Sequence, residues 1–570
     1  MAKLKINNIN VPLPEDRRLV FSKAAYSIDD WLTKDIGISE RISLPETKLL
    51  NSIFNRPQNP DIIAQKFSKY NTFKYLEVGK IVYSGVVLLL EFSDNEYEFQ
   101  LIDSSFELFE NLNDNLSRLE LDNYDFIFNA TEYSNLKALS SNIWLWSIDS
   151  RHETKTSAKI PPTTLAFSRP YFSGKRLVEL MFSSNGWTYE LSNGASFFDE
   201  LIISANNKFV FTSYEKIFSG TFSSGALILT TPDFLNSDVL ATNTITLAYN
   251  SKFRFRGNCD ADNDFILGFS STNQTQTFVL NKGEFDYDYT SNEFAAGDVV
   301  TITLTGSGNI ELDNVLIYTI IDENDFGNIS LANFTDFKVK TYDNIPKIIQ
   351  KDQFKHCLVS IGGFFTTDNF RKKLNINSFS DISKLGVIDW SNKYVEDIIR
   401  AYPVLNYGKT NYFNYDNDDT KPINLGRGAF TIDNETITKA VDVYNSIFAA
   451  SPEVDISGDT MVDNTVYDDV ERINDINPLI AYYENVKDYT VARFEKLNGN
   501  NILSNYYTNF VNAIKKGVIF DVRISMNRSD YFLFDFTKLA YIKQLKSTFF
   551  VLSISDYSEG ELTEVTLLKY

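Results

Sequence analysis

The chain has 570 residues, of which 43% are hydrophobic and 23% are charged, so its composition is that of a globular protein rather than a disordered one. A chain of this length exceeds what one hydrophobic core usually serves, which favours about three or four domains. The net charge of −21 argues against a protein that grips a phosphate backbone, because such binding needs clustered lysine and arginine side chains.

Membrane insertion and secretion are not indicated by the sequence. The most obvious apolar run, Val86 to Leu90, suits a buried strand and is too short to cross a bilayer. The first residues, MAKLKINNINVPLPEDRR, contain no continuous apolar stretch of the kind found in secretion signals. We therefore expect a protein that is made in the cytoplasm and has no membrane anchor.

The cysteines and histidines are too few and too scattered for a disulfide scaffold or a zinc site. Cys259 and Cys357 are predicted to be free, buried thiols. Neither His152 nor His356 belongs to an HExxH or HxH pair, which argues against a zinc site. His356 adjoins Cys357, but neighbouring helical positions point about 100° apart, so we expect a partly buried, hydrogen-bonded imidazole instead of a catalytic pair.

The first 165 residues are dominated by strand patterns. Residues 97–101 alternate apolar with polar side chains, which is typical of a half-buried strand. Ser104 or Ser105 then provides the N-cap of a predicted helix, and a small barrel or sandwich closed by that helix is expected. The apolar face of the helix consists of Phe106, Phe109, Leu112, Leu116 and Leu119.

The middle of the chain predicts a linker, a helix and then a β-sandwich. Residues 157–170 are rich in Thr, Ser and Pro, and residues 172–182 have helical spacing. Strand patterns separated by turn residues recur over 195–322, which predicts an antiparallel sandwich of roughly 130 residues. Residues 295–320 resemble the closing strands of jelly-roll carbohydrate-binding modules, which implies a jelly-roll-like sandwich and a host-surface glycan as one partner to test.

No catalytic constellation can be recognised. Asp260, Asp262 and Asp264 are a weak metal candidate, because alternate carboxylates suit calcium. The EF-hand pattern fails, since Phe265 replaces the required glycine and Ser271 the final glutamate, so a solvated hairpin end is favoured. The motifs at 306–308 and 426–428, and the acidic stretch at 416–419, are predicted to be turns. We expect a protein that is not an enzyme and holds no cofactor.

Residues 351–376 predict a helix packed on a hairpin. Phe354, Cys357, Leu358 and Ile361 form one apolar helical face, and Gly362 and Gly363 end the helix. Further characteristic segments are IDWSNKYVEDII at 388–399, YGKTNYFNYDNDD at 407–419, LGRGAFTIDNETI at 425–437, ERISLPETKLLNSIFN at 40–55, VGKIVYSG at 78–85 and the strand-rich end at 530–570. In order and spacing these segments resemble the tail-tip or baseplate hub proteins of tailed bacteriophages, over about 60% of the chain.

The resemblance implies a structural virion protein of the tail, made in the host cytoplasm. Hub proteins form a ring, usually a trimer, in which two barrel domains per chain imitate six-fold symmetry and DNA passes through. The resemblance implies that the chain contacts other tail or baseplate proteins, and that duplex DNA passes through the ring without being tightly bound. The expected fold is mainly β with a few helices. The expected domains are an N-terminal β-barrel at 1–165, a helix-plus-hairpin domain at 166–194 and 323–450, an inserted β-sandwich at 195–322, and a β-rich segment at 451–570 that completes a second barrel.

Two other functions stay open. One is a receptor-binding or fibre-attachment tail protein whose sandwich binds host glycan. The other is a glycan-active enzyme, which needs a deep cleft with two carboxylates. The excess of acidic residues either lines a channel through which DNA slides or forms a solvated exterior, and composition favours the exterior.

Overall fold

The computed structural model describes most of the chain in separate stretches. His152, residues 157–167 of the linker predicted at 157–170, the turn residues 307–308, Asp418 and Asp419 lie outside them, and the last residues of that predicted linker belong to the strand Ser168–Ser173. The described residues are 2–13, 20–24, 38–39, 41–56, 71–77, 80–103, 105–127, 143–148, 168–205, 210–211, 215–223, 226–229, 244–247, 250–306, 309–322, 338–368, 371–382, 386–404, 407–417, 424–433, 435, 437–451, 453–456, 459–462, 478–486, 489–532 and 534–570.

The largest element is a curled sheet, here called the main sheet, that combines strands from both ends of the chain. The N-terminal and C-terminal parts join where Phe21–Ala24 pairs antiparallel with Ser547–Tyr557. Three strands branch from its path: Ile42–Pro45, Val387–Asp389 and Leu539–Ile542. The path itself runs Ile9–Val11, Ala2–Ile6, Asn71–Glu77, Lys80–Ser93, Glu96–Asp103, Ile38–Ser39, Phe21–Ala24, Ser547–Tyr557, Leu562–Lys569, Val518–Ser525 and Tyr394–Pro403.

Strand alternation in the main sheet agrees with the sequence pattern. Tyr97, Phe99 and Leu101 are fully buried, which confirms the half-buried strand predicted at 97–101. The last strand, Leu562–Lys569, pairs on both sides and therefore lies inside the sheet. The limits predicted for the barrel domains stay a prediction.

Eight α-helices occur among the described residues, and most are short. The helix predicted after Ser105 ends at Asn111, and Leu116 belongs to a separate 3-10 turn, because Asn113, Asp114 and Asn115 favour turn conformations. The helices are α1 Lys48–Ile53, α2 Ser105–Asn111, α3 Gly174–Ser183, α4 Thr341–Asn344, α5 Gln350–Ser360, α6 Gly499–Tyr506, α7 Thr508–Lys516 and α8 Arg528–Phe532. The 3-10 segments are Leu116–Arg118, Asp122–Tyr124, Asn193–Glu200, Glu495–Leu497 and Lys543–Leu545.

Besides the main sheet, the chain forms a closed barrel of five strands that come from distant parts of the sequence. Its segment Leu201–Ser204 has no exposed side chain, because one face points into the barrel and the other packs in the same core as α3. Ala195, Phe197 and Phe198 also belong to this main core, although they lie within the 195–322 segment predicted as sandwich. The strands are Trp144–Ile148, Ser168–Ser173, Leu201–Ser204, Ile480–Val486 and Tyr489–Arg493.

The predicted helix on a hairpin is confirmed. α5 buries Phe354, Cys357 and Leu358 against the hairpin Gly363–Asp368 and Lys373–Ser378, and Thr188–Leu191 adds a parallel third strand. Gly362 follows the helix with φ +56, and a Cβ atom there would lie 2.7 Å from the Tyr506 Cβ atom. Only glycine meets both requirements at this position.

The β-sandwich consists of two antiparallel sheets with a hydrophobic core separate from the main core. Phe253, Phe265 and Phe269 are among its fully buried side chains. The six-stranded sheet contains Ala226–Leu229, Glu215–Ser223, Asn309–Asp322, Ser251–Ala261 and Gly283–Phe294 in that order, with Val210–Phe211 beside Asn309–Asp322. The four-stranded sheet has the order Thr244–Thr246, Val299–Gly306, Phe265–Ser270 and Thr275–Leu280.

The remaining strands form small sheets around these units. They are Phe126–Ile127 with Lys338–Val339, Gly428–Thr431 with Thr410–Asn414 and Ala440–Asn445, and Glu453–Ile456 with Asp459–Val462. The prediction of a mainly β fold with a few helices is confirmed. Among the described residues, no helix combines the length and the apolar character needed to cross a membrane.

Candidate functional site

The weak metal candidate lies on the surface at a hairpin end. Asp260, Asp262 and Asp264 are exposed around the turn that follows Ser251–Ala261. One oxygen of Asp264 accepts a hydrogen bond from the backbone N–H of Lys282 at 2.8 Å. Within the described stretches, no group of three His, Cys, Asp or Glu side chains is placed to hold a metal ion.

His356 lies deeper than the sequence pattern indicated. The expectation of a partly buried ring is wrong, because α5 is covered on this side and His356 is only 1% exposed. Its Nδ1 atom lies 2.6 Å from the Tyr444 hydroxyl and 3.0 Å from the Ser446 hydroxyl. Burial lowers the pKa of His356 to about 3, so the ring is neutral and a weak base at physiological pH.

Both cysteines are free and buried, as predicted. Burial raises the pKa of Cys357 to about 12, although the Gln353 side-chain amide donates to its sulfur at 3.3 Å. Burial also raises the pKa of the Cys259 thiol to about 12. Thiols with raised pKa values are protonated and unreactive, which fits a role in packing.

An open cleft of about 640 Å³ contains Ser446, the hydrogen-bond partner of His356, in its wall. A serine next to a histidine could be taken for a nucleophile with its base. Here the Ser446 hydroxyl also accepts the backbone N–H of Phe448, and the histidine is too weak a base to activate it. We interpret this pair as a structural contact that fixes residues 446–448 on α5.

The junction between the sandwich and the rest of the molecule, here called the junction, carries a buried ionic network. Arg254 donates two hydrogen bonds of 2.7 Å to the Asp288 carboxylate and one of 2.6 Å to Asp343 on α4. The Tyr318 hydroxyl donates to the same oxygen of Asp343 at 2.8 Å. Asp343 is 1% exposed and Arg254 is 12% exposed, so the pair is shielded from water.

The two carboxylates that share Arg254 have opposite pKa shifts. Burial raises the pKa of Asp343 to about 6, even though Arg254 pulls it down. Burial also acts on Asp288, but hydrogen bonds from Arg254 and Tyr342 outweigh it and lower the pKa of Asp288 below its usual value. The difference reflects depth, because Asp343 is fully buried whereas Asp288 lies at the edge of the junction.

Weaker contacts surround this network. The Arg256 guanidinium lies 3.5 Å from the centre of the Tyr342 ring, and Arg118 pairs with Asp286 at 3.1 Å. Sequence reasoning missed the junction. The available signal was the alternation of Lys252, Arg254 and Arg256 on a strand whose other face is apolar.

The path of the main sheet ends in two edge strands that have exposed aliphatic side chains, and the branch strands Ile42–Pro45 and Val387–Asp389 also pair on one side only among the described strands. At one edge, Ile9–Val11 pairs only with Ala2–Ile6 among the described strands, and Ile9 is 41% exposed. At the other edge, Tyr394–Pro403 has Val518–Ser525 as its one partner among the strands that the structure describes, and Val395 and Ile398 are 40% and 42% exposed. Unpaired edges that bear apolar side chains are available for pairing with another chain.

Comparison with known proteins gives matches among solved structures. No protein-family model and no curated protein matches the chain. Among solved structures, the chain is similar to the crystal structure described as prophage MuSo2, 43 kDa tail protein from Shewanella oneidensis. The two are 7% identical, the alignment covers 100% of this chain and 97% of that chain, and the TM-score is 0.34.

Proposed function

We propose that the chain is a structural protein of a bacteriophage-type tail, a tail-tip or baseplate hub subunit that forms a trimeric ring. The ring joins the tail tube to the tip, contacts other tail proteins and lets duplex DNA pass. The segments that resemble hub proteins, including 388–399 and 530–570, contribute strands to the main sheet. The role is mechanical and needs no catalytic group.

The observation that carries this proposal is the pair of edge strands at the two ends of the path of the main sheet. Because the edges differ, Ile9–Val11 of one copy can meet Tyr394–Pro403 of the next, which is a head-to-tail contact. Head-to-tail contacts close into a ring when the rotation between copies is an integral fraction of a turn. In the proposed ring each copy is turned relative to the next by such a fraction, and closure covers the exposed aliphatic side chains of both edges.

The charge of the chain fits passage rather than gripping of DNA. A net charge of −21 per copy repels the phosphate backbone, so DNA is not retained by a salt-dependent binding term. Each lysine or arginine contact to phosphate would slow the movement of DNA through the ring.

An edge substitution tests the proposal by light scattering. In the proposed ring the edge strand Tyr394–Pro403 pairs with a strand of the next copy, and Ile398→Lys places a charge on that edge strand. We expect the variant to form species smaller than the ring at micromolar concentration. The matched control is Ile266→Lys, since Ile266 is 45% exposed but lies on a central strand of the sandwich. We expect the control to keep the ring. A wild-type chain that stays monomeric, or a ring that survives Ile398→Lys unchanged, would contradict the proposal.

A further inference from the structure

A buried lysine and a buried aspartate face each other beside the junction. The Lys340 Nζ atom lies 3.6 Å from the Asp125 Oδ2 atom, and each side chain is 5% exposed. Asp125 immediately precedes the strand Phe126–Ile127, and Lys340 immediately follows the strand Lys338–Val339. These two strands pair antiparallel, so the sheet that they form holds the two side chains opposite each other.

The surroundings of this pair do not favour two separate charges. Taking two ions out of water can cost more free energy than their mutual attraction returns. Burial raises the pKa of Asp125, although Lys340 and Lys338 pull it down. The Lys340 Nζ atom also lies 4.9 Å from the centre of the Tyr318 ring, so an aromatic ring takes the place of water on one side. Transfer of one proton from Nζ to Oδ2 gives a neutral amine and a carboxylic acid, which burial favours over the two ions.

A backbone donor is aimed at the other oxygen of Asp125. The Thr341 N–H donates a hydrogen bond of 2.8 Å to Asp125 Oδ1. Thr341 is itself held in place, because its Oγ1 atom accepts a hydrogen bond of 3.0 Å from the indole N–H of Trp144. A fixed backbone N–H at one carboxyl oxygen stabilises the negative charge that develops there when a nucleophile attacks the carboxyl carbon. The two oxygens of Asp125 therefore differ, since Oδ1 accepts this hydrogen bond and Oδ2 faces the lysine.

A third buried ionisable side chain belongs to the same site. Asp343 lies three positions after Lys340, on α4, and is 1% exposed. Burial raises the pKa of Asp343 to about 6 against the attraction of Arg254. The charges of Lys340 and Asp125 also act on this pKa, in opposite directions, so the three groups are within electrostatic reach of one another. A carboxyl group whose pKa is near the working pH can both accept a proton and return it.

We propose that Lys340 and Asp125 join in an intramolecular isopeptide bond, and that Asp343 carries the proton that must move. The Lys340 amine attacks the Asp125 Cγ atom, so an Nζ–Cγ bond forms and negative charge collects on Oδ1 at the Thr341 N–H. A proton passes from Nζ by way of Asp343 to Oδ2, the Cγ–Oδ2 bond breaks, and Oδ2 leaves as water. Two of the three ammonium hydrogens leave with Oδ2 and one stays on the amide nitrogen, so no oxidant, reductant or cofactor is needed. This inference is independent of ring formation.

Lys338 is a rival nucleophile and therefore the natural control. Its Nζ atom lies 3.7 Å from the same Asp125 oxygen, but its side chain is 24% exposed, against 5% for Lys340. An ammonium group in contact with water keeps part of its hydration, so it gains less from becoming a neutral amide. The geometry therefore assigns the bond to Lys340.

The bond would tie together the two ends of a long segment. Asp125 and Thr341 are 216 positions apart, and the whole sandwich lies between them in the sequence. Among the described residues, the strands that now join these ends share two residue pairs, which makes a weak sheet. A covalent link restricts the unfolded chain, and the restriction grows with the length of the loop. It would also fix the start of α4, to which Arg254 ties the sandwich.

Mass spectrometry of the intact, purified chain tests the inference. We expect the wild type, after overnight incubation, to be lighter by one water molecule than the mass calculated from its sequence. Lys340→Arg keeps the positive charge but removes the amine, so this variant and Asp125→Ala should each have the full mass of their sequences. The matched control Lys338→Arg should still lose one water. A tryptic digest of the wild type should contain one branched peptide that includes both Asp125 and Lys340.

Other results would overturn the inference. A folded wild-type chain that keeps the full mass of its sequence contains an ion pair and no bond. A loss of water that persists in Lys340→Arg arises elsewhere: from Lys338 if Lys338→Arg lacks it, and from a succinimide at an aspartate if Lys338→Arg keeps it. Circular dichroism of each variant excludes unfolding as the cause.

The rate of bond formation tests the role of Asp343. In time courses of the mass after cell-free synthesis, Asp343→Asn should slow the loss of water about a hundredfold, near the lower end of what a general acid or base contributes. Asp288→Asn is the matched control, because it removes the other carboxylate that pairs with Arg254, and it should leave the rate unchanged. A wild-type rate in Asp343→Asn, or equal slowing in both variants, would overturn the assignment of the proton transfer to Asp343.

Discussion

Replacing Asp343 by asparagine should change how the stability of the protein depends on pH. The pKa of Asp343 is raised from 3.8 to about 6 in the folded chain, because burial outweighs the attraction of Arg254. Between these two values the folded state binds a proton that the unfolded state does not bind. The contribution of Asp343 to stability is therefore fully present below pH 3.8 and is lost as the pH rises through 6. The asparagine variant keeps an amide oxygen for Arg254 and Tyr318 but cannot titrate.

The size of the change in stability follows from the difference between the pKa values of Asp343 in the folded and unfolded states. The free energy of unfolding of the wild type should gain about 1 kcal/mol from Asp343 when the pH falls from 7.5 to 5.2. This window stays above the isoelectric point of about 4.7, where solubility is lowest. The difference between the wild type and Asp343→Asn should therefore shift by about 1 kcal/mol in favour of the wild type at pH 5.2.

Urea unfolding at the two pH values, followed by tyrosine and tryptophan fluorescence, measures this difference. Asp288→Asn is the matched control, because it removes the other carboxylate that pairs with Arg254. The pKa of Asp288 is lowered, so its contribution is present above the unfolded pKa and is lost only at more acidic pH. The deficit of this control should be the same at pH 5.2 and 7.5. An Asp343→Asn deficit that does not change with pH would refute the assignment of the raised pKa to burial at the junction.

The remaining predictions concern the sandwich, a glycine contact and DNA. Replacing residues 210–322 with a Gly-Ser linker should leave a protein that is folded by circular dichroism, because Val210 and Asp322 are cross-strand partners and the ends of the deletion therefore lie close together. Replacing residues 195–322 also removes the buried strand Leu201–Ser204 and should prevent folding. Gly428→Ala should lower the free energy of unfolding, measured by urea unfolding, by about 3 kcal/mol, because the new Cβ atom would lie 2.2 Å from the Gly499 carbonyl carbon. The control Ala429→Ser, at an exposed position, should leave the free energy of unfolding unchanged. The protein should not bind duplex DNA in gel-shift experiments at about 150 mM salt. Binding with submicromolar affinity would contradict the proposal that DNA passes through the ring without being held.

Local patterns in the sequence predicted elements that depend on one face of a strand or helix. The alternation at 97–101 and the apolar face of Phe354, Cys357 and Leu358 are visible because each repeats with the period of its element. The burial of the two cysteines follows from the general tendency of free cysteine to be buried and not from neighbouring residues, since Cys259 lies between Asn258 and Asp260. The mainly β character of the chain is the sum of such local signals.

Long-range contacts could not be predicted in this way. Arg254 and Asp343 are 89 positions apart, and an arginine on a strand gives no sign of which carboxylate it pairs with. The pairing of Phe21–Ala24 with Ser547–Tyr557 likewise depends on which strand edges meet after the chain has collapsed. His356 is fully buried because residues 444–448 cover α5, and helical periodicity alone does not report what packs on a helix.

Electron microscopy of the purified chain at micromolar concentration tests the central claim most directly. We expect closed rings with three-fold symmetry and a central channel, in which Ile9–Val11 of each copy lies beside Tyr394–Pro403 of its neighbour. Single copies with both edges free, or two-fold dimers joined through any other surface, would contradict the account.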